Sequence, residues 1–434
     1  MKTLRLGACA AALLGLAACG PKPIDPSRQI GANPYLPPIH QYLLPPMNVA
    51  KVVGWGGAAP TAPAGLQVKA LAMGLKNPRS LYVLPIGDIL VVESEGPKAP
   101  VNRPKEFVMG WLEKQSHSRT PAGNRILLFR DANGDGVPEL STVFIDHLKS
   151  PFGVVLVGND LYVADTDAVL RFPYQAGQTR ITAPPVKLCD LPGGPIDHHW
   201  TKSLTASPDG TKLYAGVGSN SNITENGIGA ELDRAAIWEI DRATGAHRLY
   251  ATGLRNPNGL QFEPLTHVLW AVVNERDELG PDLVPDYLTS VKDGAFYGWP
   301  YSYYGQHIDP RVRPQRPDLV ARAIPPDYAL SSHVAPLGMV FYTGSNLPAA
   351  YRGGAFVGEH GSWDRTVLNG YKVVYVPFAN GRPSGVAQDV VTGFLGRGGE
   401  ARGRPVGLAI DAQGGLLIAD DVGGAVWRVT AAGR

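Results

Sequence analysis

The chain has 434 residues, 44% hydrophobic and 18% charged, which gives enough apolar surface for a core and excludes a disordered chain. Its 40 basic and 38 acidic residues nearly cancel; without Lys2 and Arg5 of the N-terminus they balance, which excludes the basic excess of a nucleic-acid binder. With 52 glycines and 39 prolines, the chain suits many short strands joined by turns better than long helices.

Met1 to Gly20 reads MKTLRLGACAAALLGLAACG. Lys2 and Arg5 form a positive n-region, and Leu6 to Ala18 is an apolar stretch too short to span a bilayer. Leu16-Ala17-Ala18-Cys19 resembles a bacterial lipobox, in which the cysteine is acylated and the chain is cut before it. The alternative is an ordinary signal peptide with an incidental cysteine. The lipobox predicts an 18-residue leader, lipid on Cys19 and a periplasmic protein tethered to a membrane, the outer one of a Gram-negative cell, by acyl chains. Cys9 leaves with the leader, so Cys189 remains as a lone thiol and no intrachain disulfide is expected.

Residues 19–64 are proline-rich and read as an extended, semi-rigid tether. Ile39, Tyr42, Leu43 and Leu44 interrupt the Pro37-Pro38 and Pro45-Pro46 pairs, which predicts that the second half lies along the surface of the following domain.

Length alone suggests about three domains, but residues 65–434 repeat. Six segments begin at Asn77, Ser150, Thr201, Asn256, Ala335 and Arg404. Each opens on turn residues, then a small residue, an apolar pair, a turn such as Asp-Gly or Gly-Asn, and an apolar run ending near an acid. Each reads as a β-hairpin. The intervals exceed the about 40 to 50 residues of a plain four-stranded blade, so several blades carry long loops. The reading is an all-β, six-bladed β-propeller; a pair of β-sandwiches would not repeat one signature six times.

In a propeller, the loops before each first strand converge at one mouth of the central channel. His198-His199-Trp200 stands there in the third repeat, Gly253-Leu254-Arg255-Asn256 in the fourth and Arg402-Gly403-Arg404 in the sixth. A histidine beside several arginines suits a site that binds a polyanion and moves one proton.

The ordered set GLRNPNGL (Gly253 to Leu260), H-x4-L-x3-P-D-G (His199 to Gly210) and ARGRPVGLAID (Ala401 to Asp411) resembles the soluble pyrroloquinoline-quinone (PQQ) sugar dehydrogenases of the glucose and L-sorbosone type, over about Gly65 to Thr430. VNERDELGPDL and FYGWPYSYYG look closer to the sorbosone branch. The resemblance implies a periplasmic oxidoreductase that takes hydride from an aldose or sorbosone-like sugar onto PQQ and passes electrons to a separate cytochrome or quinone. It implies His199 as general base, with Arg255 and Asn256 at the quinone oxygens, Arg255 also counting as catalytic. Arg402 and Arg404 would hold the PQQ carboxylates. A PQQ-bound Ca²⁺ would lie at the tract Glu275-Arg276-Asp277-Glu278, with Arg276 toward the cofactor and Asp277 and Glu278 as ligands in place of the family's Gly-Pro. The aspartate that orients the family histidine falls on Ser219, and Asp197 substitutes only if the turn brings it near. The family's PQQ-binding lysine has no clear match; Arg365 is the candidate.

Asp131, Asn133 and Asp135 resemble the start of an EF-hand calcium loop, although Thr142 stands where its bidentate glutamate belongs. A second calcium site and a plain Asn-Gly-Asp-Gly turn are both open. Two other function classes compete. A calcium-dependent propeller lactonase needs carboxylate and Asn ligands at the channel floor. A glycan- or peptide-binding propeller would use Trp111, Trp200, Trp299, Tyr301, Tyr303, Tyr304 and Trp363.

Overall fold

The computed structural model describes residues 23–42, 47–98, 104–116 and 121–433. The leader and Cys19 lie outside the described residues. Six antiparallel sheets form the six blades of a β-propeller. The innermost strands are Pro78–Val83, Gly153–Val157, Leu204–Ala206, Pro257–Phe262, Pro336–Phe341 and Pro405–Ile410, and each touches the next around a closed ring. They begin at or just after the six repeat starts read from the sequence.

The ring closes with strands from both ends of the domain. Leu66–Met73, which precedes blade 1, pairs antiparallel with Ala425–Ala431 as the outer strand of blade 6. Ile30–Gly31 adds a fifth strand to blade 4 against Leu330 and Ala329. Such closure leaves only short sheet edges to be protected.

The second strands are apolar throughout because blades cover both of their faces. Ile89–Glu93, Leu269–Val273, Ala355–Glu359 and Leu416–Asp420 are buried along their whole length. Six apolar cores result, one between each pair of neighbouring blades. Leu90, Ile126 and Leu128 of blade 1, for example, pack on Leu161, Val163 and Phe172 of blade 2. The glycine at the small-residue position of four repeats is set by contact with the inner strand of the next blade. A Cβ on Gly338 would lie 2.1 Å from the carbonyl oxygen of Val406, where no side chain fits.

In three blades the acid that ends the apolar run has a local task. Glu93 accepts the amide of Lys76 (2.6 Å), Asp165 that of Lys149 (2.9 Å) and Asp420 that of Arg404 (2.7 Å). Each fastens the loop entering its own blade, so the loops at the channel mouth are held by buried carboxylates and not left to solvent.

Helices depart from the all-strand expectation: the longest among the described residues is Pro104–Gln115, inside the long connection between the second and third strands of blade 1, and shorter ones such as Pro317–Val320 lie in other loops. Among the described residues, no helix is long and apolar enough to cross a membrane. Cys189 is a buried free thiol, and burial raises its pKa to about 11, so it stays protonated.

Candidate active site

The entry loops and the second-to-third-strand loops of blades 3 to 6 enclose a cavity of about 360 Å³ at one mouth of the channel. Its wall includes His198, His199, Arg255, Asn256, Asp277 and Arg404, all singled out from the sequence. It also includes four residues the sequence reading passed over, Asn220, Asn222, Asp286 and His333, together with Glu275 of the calcium tract and Trp363 of the aromatic candidates. His333 stands just before the fifth repeat, where the same placement rule would have found it. The asparagines follow Ser219 in a loop that shows no pattern of its own.

His199 is held from one side. Its Nδ1 lies 2.9 Å from the carbonyl oxygen of Ser219 and 3.0 Å from that residue's hydroxyl. A carbonyl only accepts, so Nδ1 carries the proton and Nε2 keeps its lone pair. The Ser219 hydroxyl donates in turn to Ser221 O (2.6 Å), and the Ser219 amide donates to Arg255 O (2.7 Å). One short segment therefore positions both functional loops. Gly218 makes room for it, since a Cβ there would stand 2.5 Å from the His199 Cβ and 2.4 Å from Asn256 Oδ1.

Burial, then the charges of Arg255 and His198, hold the His199 pKa well below 6.5. The imidazole is a neutral base at neutral pH. Asp197 does not reach the imidazole. It is buried with Arg234 (3.0 Å) and Lys202 (3.4 Å) and accepts from Thr166. Lys202 donates to Trp200 O (3.0 Å), so this charge cluster braces the backbone of the histidine loop.

Arg255 is 3% exposed and fully engaged. Nη1 donates to Glu275 O (2.8 Å), while Nη2 donates to Asn222 Oδ1 (3.0 Å) and meets Asp277 Oδ2 (3.2 Å). Its hydrogen bonds are spent on the protein, and what it offers a ligand is a fixed positive charge. Arg404 differs. Nη2 donates to the Tyr371 hydroxyl (3.1 Å) and the guanidinium lies over that ring, but its buried Nε has no partner. The amide oxygens of Asn220 and Asn256 are also buried and unpartnered.

His333 bridges two acceptors, Asp277 (Nδ1 to Oδ1, 3.3 Å) and Gly280 O (Nε2, 3.1 Å). Burial would lower its pKa, but Asp277 and Asp364 outweigh burial and raise it to about 9. The ligand atoms of Asp277, His333 and Asp364 lie within 4.8 Å of one another, a geometry that admits a cation. Burial lifts Glu275 and Asp286 to about 7.

The other sequence candidates stand outside the cavity wall. Arg276 is buried against Asp309, and Arg365 against Asp282 (2.7 Å). Arg402 is half-buried beside the wall, and Glu278 pairs with Arg311 (3.2 Å). Of the aromatic candidates, Trp363 alone lines the cavity; Trp200 packs on Phe152, and Trp299, Tyr303 and Tyr304 are buried. In the turn at Asp131, the carboxylate accepts the amides of Gly134 and Gly136 (both 2.7 Å), and Asp135 and Glu139, not Thr142, complete a surface acidic group. Asn133 caps Asp135 N (2.8 Å).

Comparison with known proteins agrees with this geometry. Residues 162–369 match the Glucose / Sorbosone dehydrogenase family model, and residues 317–432 a TrAA12-like one. An uncharacterized protein of Borreliella burgdorferi is 27% identical over 292 residues, 65% of this chain and 76% of that one. The holo PQQ domain of pyranose dehydrogenase from Coprinopsis cinerea superposes with a TM-score of 0.69 at 21% identity, covering 88% of this chain and all of that one. The PQQ-bound aldose sugar dehydrogenase of Streptomyces coelicolor gives 0.56 at 16% identity, covering 85% of this chain and 99% of that one. A calcium structure of the Trichoderma reesei family AA12 enzyme gives 0.69 at 21% identity, covering 88% and 98%. These structures establish the fold. His199, Arg255, Asp277 and His333 all lie within the segment that matches the Glucose / Sorbosone dehydrogenase family model.

Proposed function

We propose that the chain is a PQQ-dependent dehydrogenase of an aldose or sorbosone-like sugar. The observation that carries this reading is a neutral, desolvated histidine base in one cavity with a fixed arginine charge and unsatisfied buried polar atoms. The cavity has the size of sites that hold a single small organic ligand. Arg404 Nε and the amides of Asn220 and Asn256 fit a planar, polyanionic quinone that both accepts and donates hydrogen bonds. The carboxylates of Asp277 and Asp364 fit the Ca²⁺ that accompanies PQQ in this reading, with His333 releasing the Nδ1 proton it shares with Asp277 as the cation takes that place.

Bound there, PQQ supplies the hydride acceptor and Ca²⁺ polarises it. The rest is done by the chain. His199 Nε2 takes the proton of the substrate hydroxyl, while Ser219 keeps the proton on Nδ1 and fixes the ring plane. Arg255 offsets the negative charge that develops as the cofactor is reduced, with no reorganisation because its own bonds are already made. Arg404 anchors a carboxylate through its open Nε. In this proposal the protein is lipid-anchored through Cys19 in the periplasm, and its electrons leave to a separate acceptor there.

The lactonase reading gains one observation, because Asn222, Glu275 and Asp277 do gather at the cavity floor. Arg255 occupies the middle of that oxygen cluster, where a hydrolase needs its cation. Reconstitution separates the two. The full chain with PQQ and Ca²⁺ is expected to reduce dye with aldoses and sorbosone; hydrolysis of sugar lactones without PQQ would overturn the proposal.

The depressed pKa of His199 fixes the sign of the pH dependence. A base with a lowered pKa remains unprotonated below pH 6.5, so kcat/KM is expected to hold there and fall only at more acid pH. Ser219→Asp places a carboxylate beside Nδ1, favours the imidazolium and raises that pKa. The acid limb of kcat/KM is therefore expected to move toward neutral pH by at least about one unit. A pH–rate profile of the two proteins checks it.

A further inference from the structure

Two buried side chains, Gln29 and Trp55, peg the proline-rich segment before the propeller to the blades. At one end Gln29 is 0% exposed, donating to Asp282 O (2.5 Å) and accepting from the Ser332 hydroxyl (2.9 Å). At the other, Trp55 is 6% exposed, donates to Asp420 Oδ2 (2.6 Å) and packs edge-on against Phe394 and Trp427. Between the pegs the described backbone is stitched to four blades. His40 N donates to Leu279 O (2.8 Å) in blade 4, Asn48 N to Trp363 O (2.9 Å) in the blade 5 loop, and Val52 N to Ser116 O (2.8 Å) in the blade 1 insertion. Val53 N also donates to Ala401 O (2.9 Å) at the entry to blade 6. A flexible leash makes no such series of bonds. Val49, half-buried, lies in the cavity wall with Trp363 and His333.

We propose that the described residues 29–42 and 47–55 form a fixed strap that makes one wall of the catalytic cavity and limits its substrate to monosaccharide size, Val49 being the side chain that meets the far end of the sugar. The inference rests on the dehydrogenase reading and adds a substrate class to it. A longer saccharide would have to pass the Val49 side chain, which the bond from Asn48 N to Trp363 O holds in the cavity wall. Strap and cofactor cradle are separate: among the described residues, no hydrogen bond joins Arg255, Asn256 or Arg404 to the strap.

The test uses the full chain loaded with PQQ and Ca²⁺, and compares glucose with maltose and galactose with lactose. Val49→Gly opens space worth several methylenes, and one methylene already changes discrimination by about tenfold or more. The ratio of disaccharide to monosaccharide kcat/KM is expected to rise at least about tenfold. Val49→Phe is expected to raise the monosaccharide KM by a similar factor with kcat little changed. PQQ affinity, read by titration, is expected to stay within about twofold of the parent in both variants, since the cradle is untouched. Ile39→Gly, elsewhere on the strap, is expected to leave the ratio alone. A protein that binds PQQ and oxidises sugars with a ratio unmoved by Val49→Gly overturns the strap's role. Failure to bind PQQ at all overturns the dehydrogenase reading, and the size limit falls with it.

Discussion

His199→Gln is expected to lower kcat/KM for the sugar by about 10²- to 10⁴-fold, the usual worth of a positioned general base, with PQQ affinity nearly unchanged. The reasoning starts from the hydrogen bond at Nδ1. Because Ser219 O can only accept, the imidazole is locked in the tautomer that leaves Nε2 unprotonated. Because the ring is desolvated and faces Arg255, that nitrogen stays unprotonated at neutral pH. Glutamine can still donate to Ser219 O through its amide, so the loop keeps its anchor and the variant removes basicity more than structure. Lys202, Asp197 and Arg234 brace the loop backbone independently of the ring. Steady-state dye reduction beside a PQQ titration checks both halves. A loss below tenfold would place the base elsewhere, and joint loss of PQQ binding would recast His199 as a cradle residue.

The fold was legible because its physics repeats. Six blades bury their second strands on both faces, so six apolar runs appear; they pack inner strands against backbone, so Gly153, Gly259, Gly338 and Gly407 recur at one position. The acids that end those runs recur for the same local reason, as Glu93, Asp165 and Asp420 show. The site was legible in part. Loops that enter blades carry a positional signal, and His199, Arg255 and Arg404 were found by it. Arg276 and Arg365 illustrate where that signal ends: both sit in the right tract, yet buried Asp309 and Asp282 turn them away from the cavity wall, and no spacing rule gives the partner of a side chain 30 or 80 residues distant. Glu278 is drawn off by Arg311 in the same way. Asn220 and Asn222 lie in a second-to-third-strand loop whose course depends on tertiary contacts. The strap was half legible: the apolar residues among its prolines predicted that its second half lies along the domain, but what pegs it there was hidden. Proline-rich composition reports stiffness and extension, and the pegs Gln29 and Trp55 gain their meaning from Asp282 and Asp420, hundreds of residues away.

Arg255→Ala is expected to lower kcat/KM by about 10²- to 10³-fold, the range measured when one fixed electrostatic stabiliser is removed from an active site. Its guanidinium is the one cation bonded to Asn222, the Glu275 carbonyl and Asp277 together. Removing it takes away a charge that needs no rearrangement to act and leaves Asp277 with His333 as its ion partner. The same substitution is expected to raise the His199 pKa, because Arg255 is the largest charge holding it down. The acid limb of the pH–rate profile should therefore move upward as the plateau falls. Two readouts separate charge from shape. Arg255→Lys keeps a cation but not the fork that reaches three acceptors, so it is expected to recover the position of the acid limb more fully than the rate. A variant that loses rate without moving the limb would show that Arg255 holds the loop and does not set the field. Equal loss in Arg255→Lys and Arg255→Ala, with the limb restored only in the lysine variant, would assign the rate to the fork and the pKa to the charge.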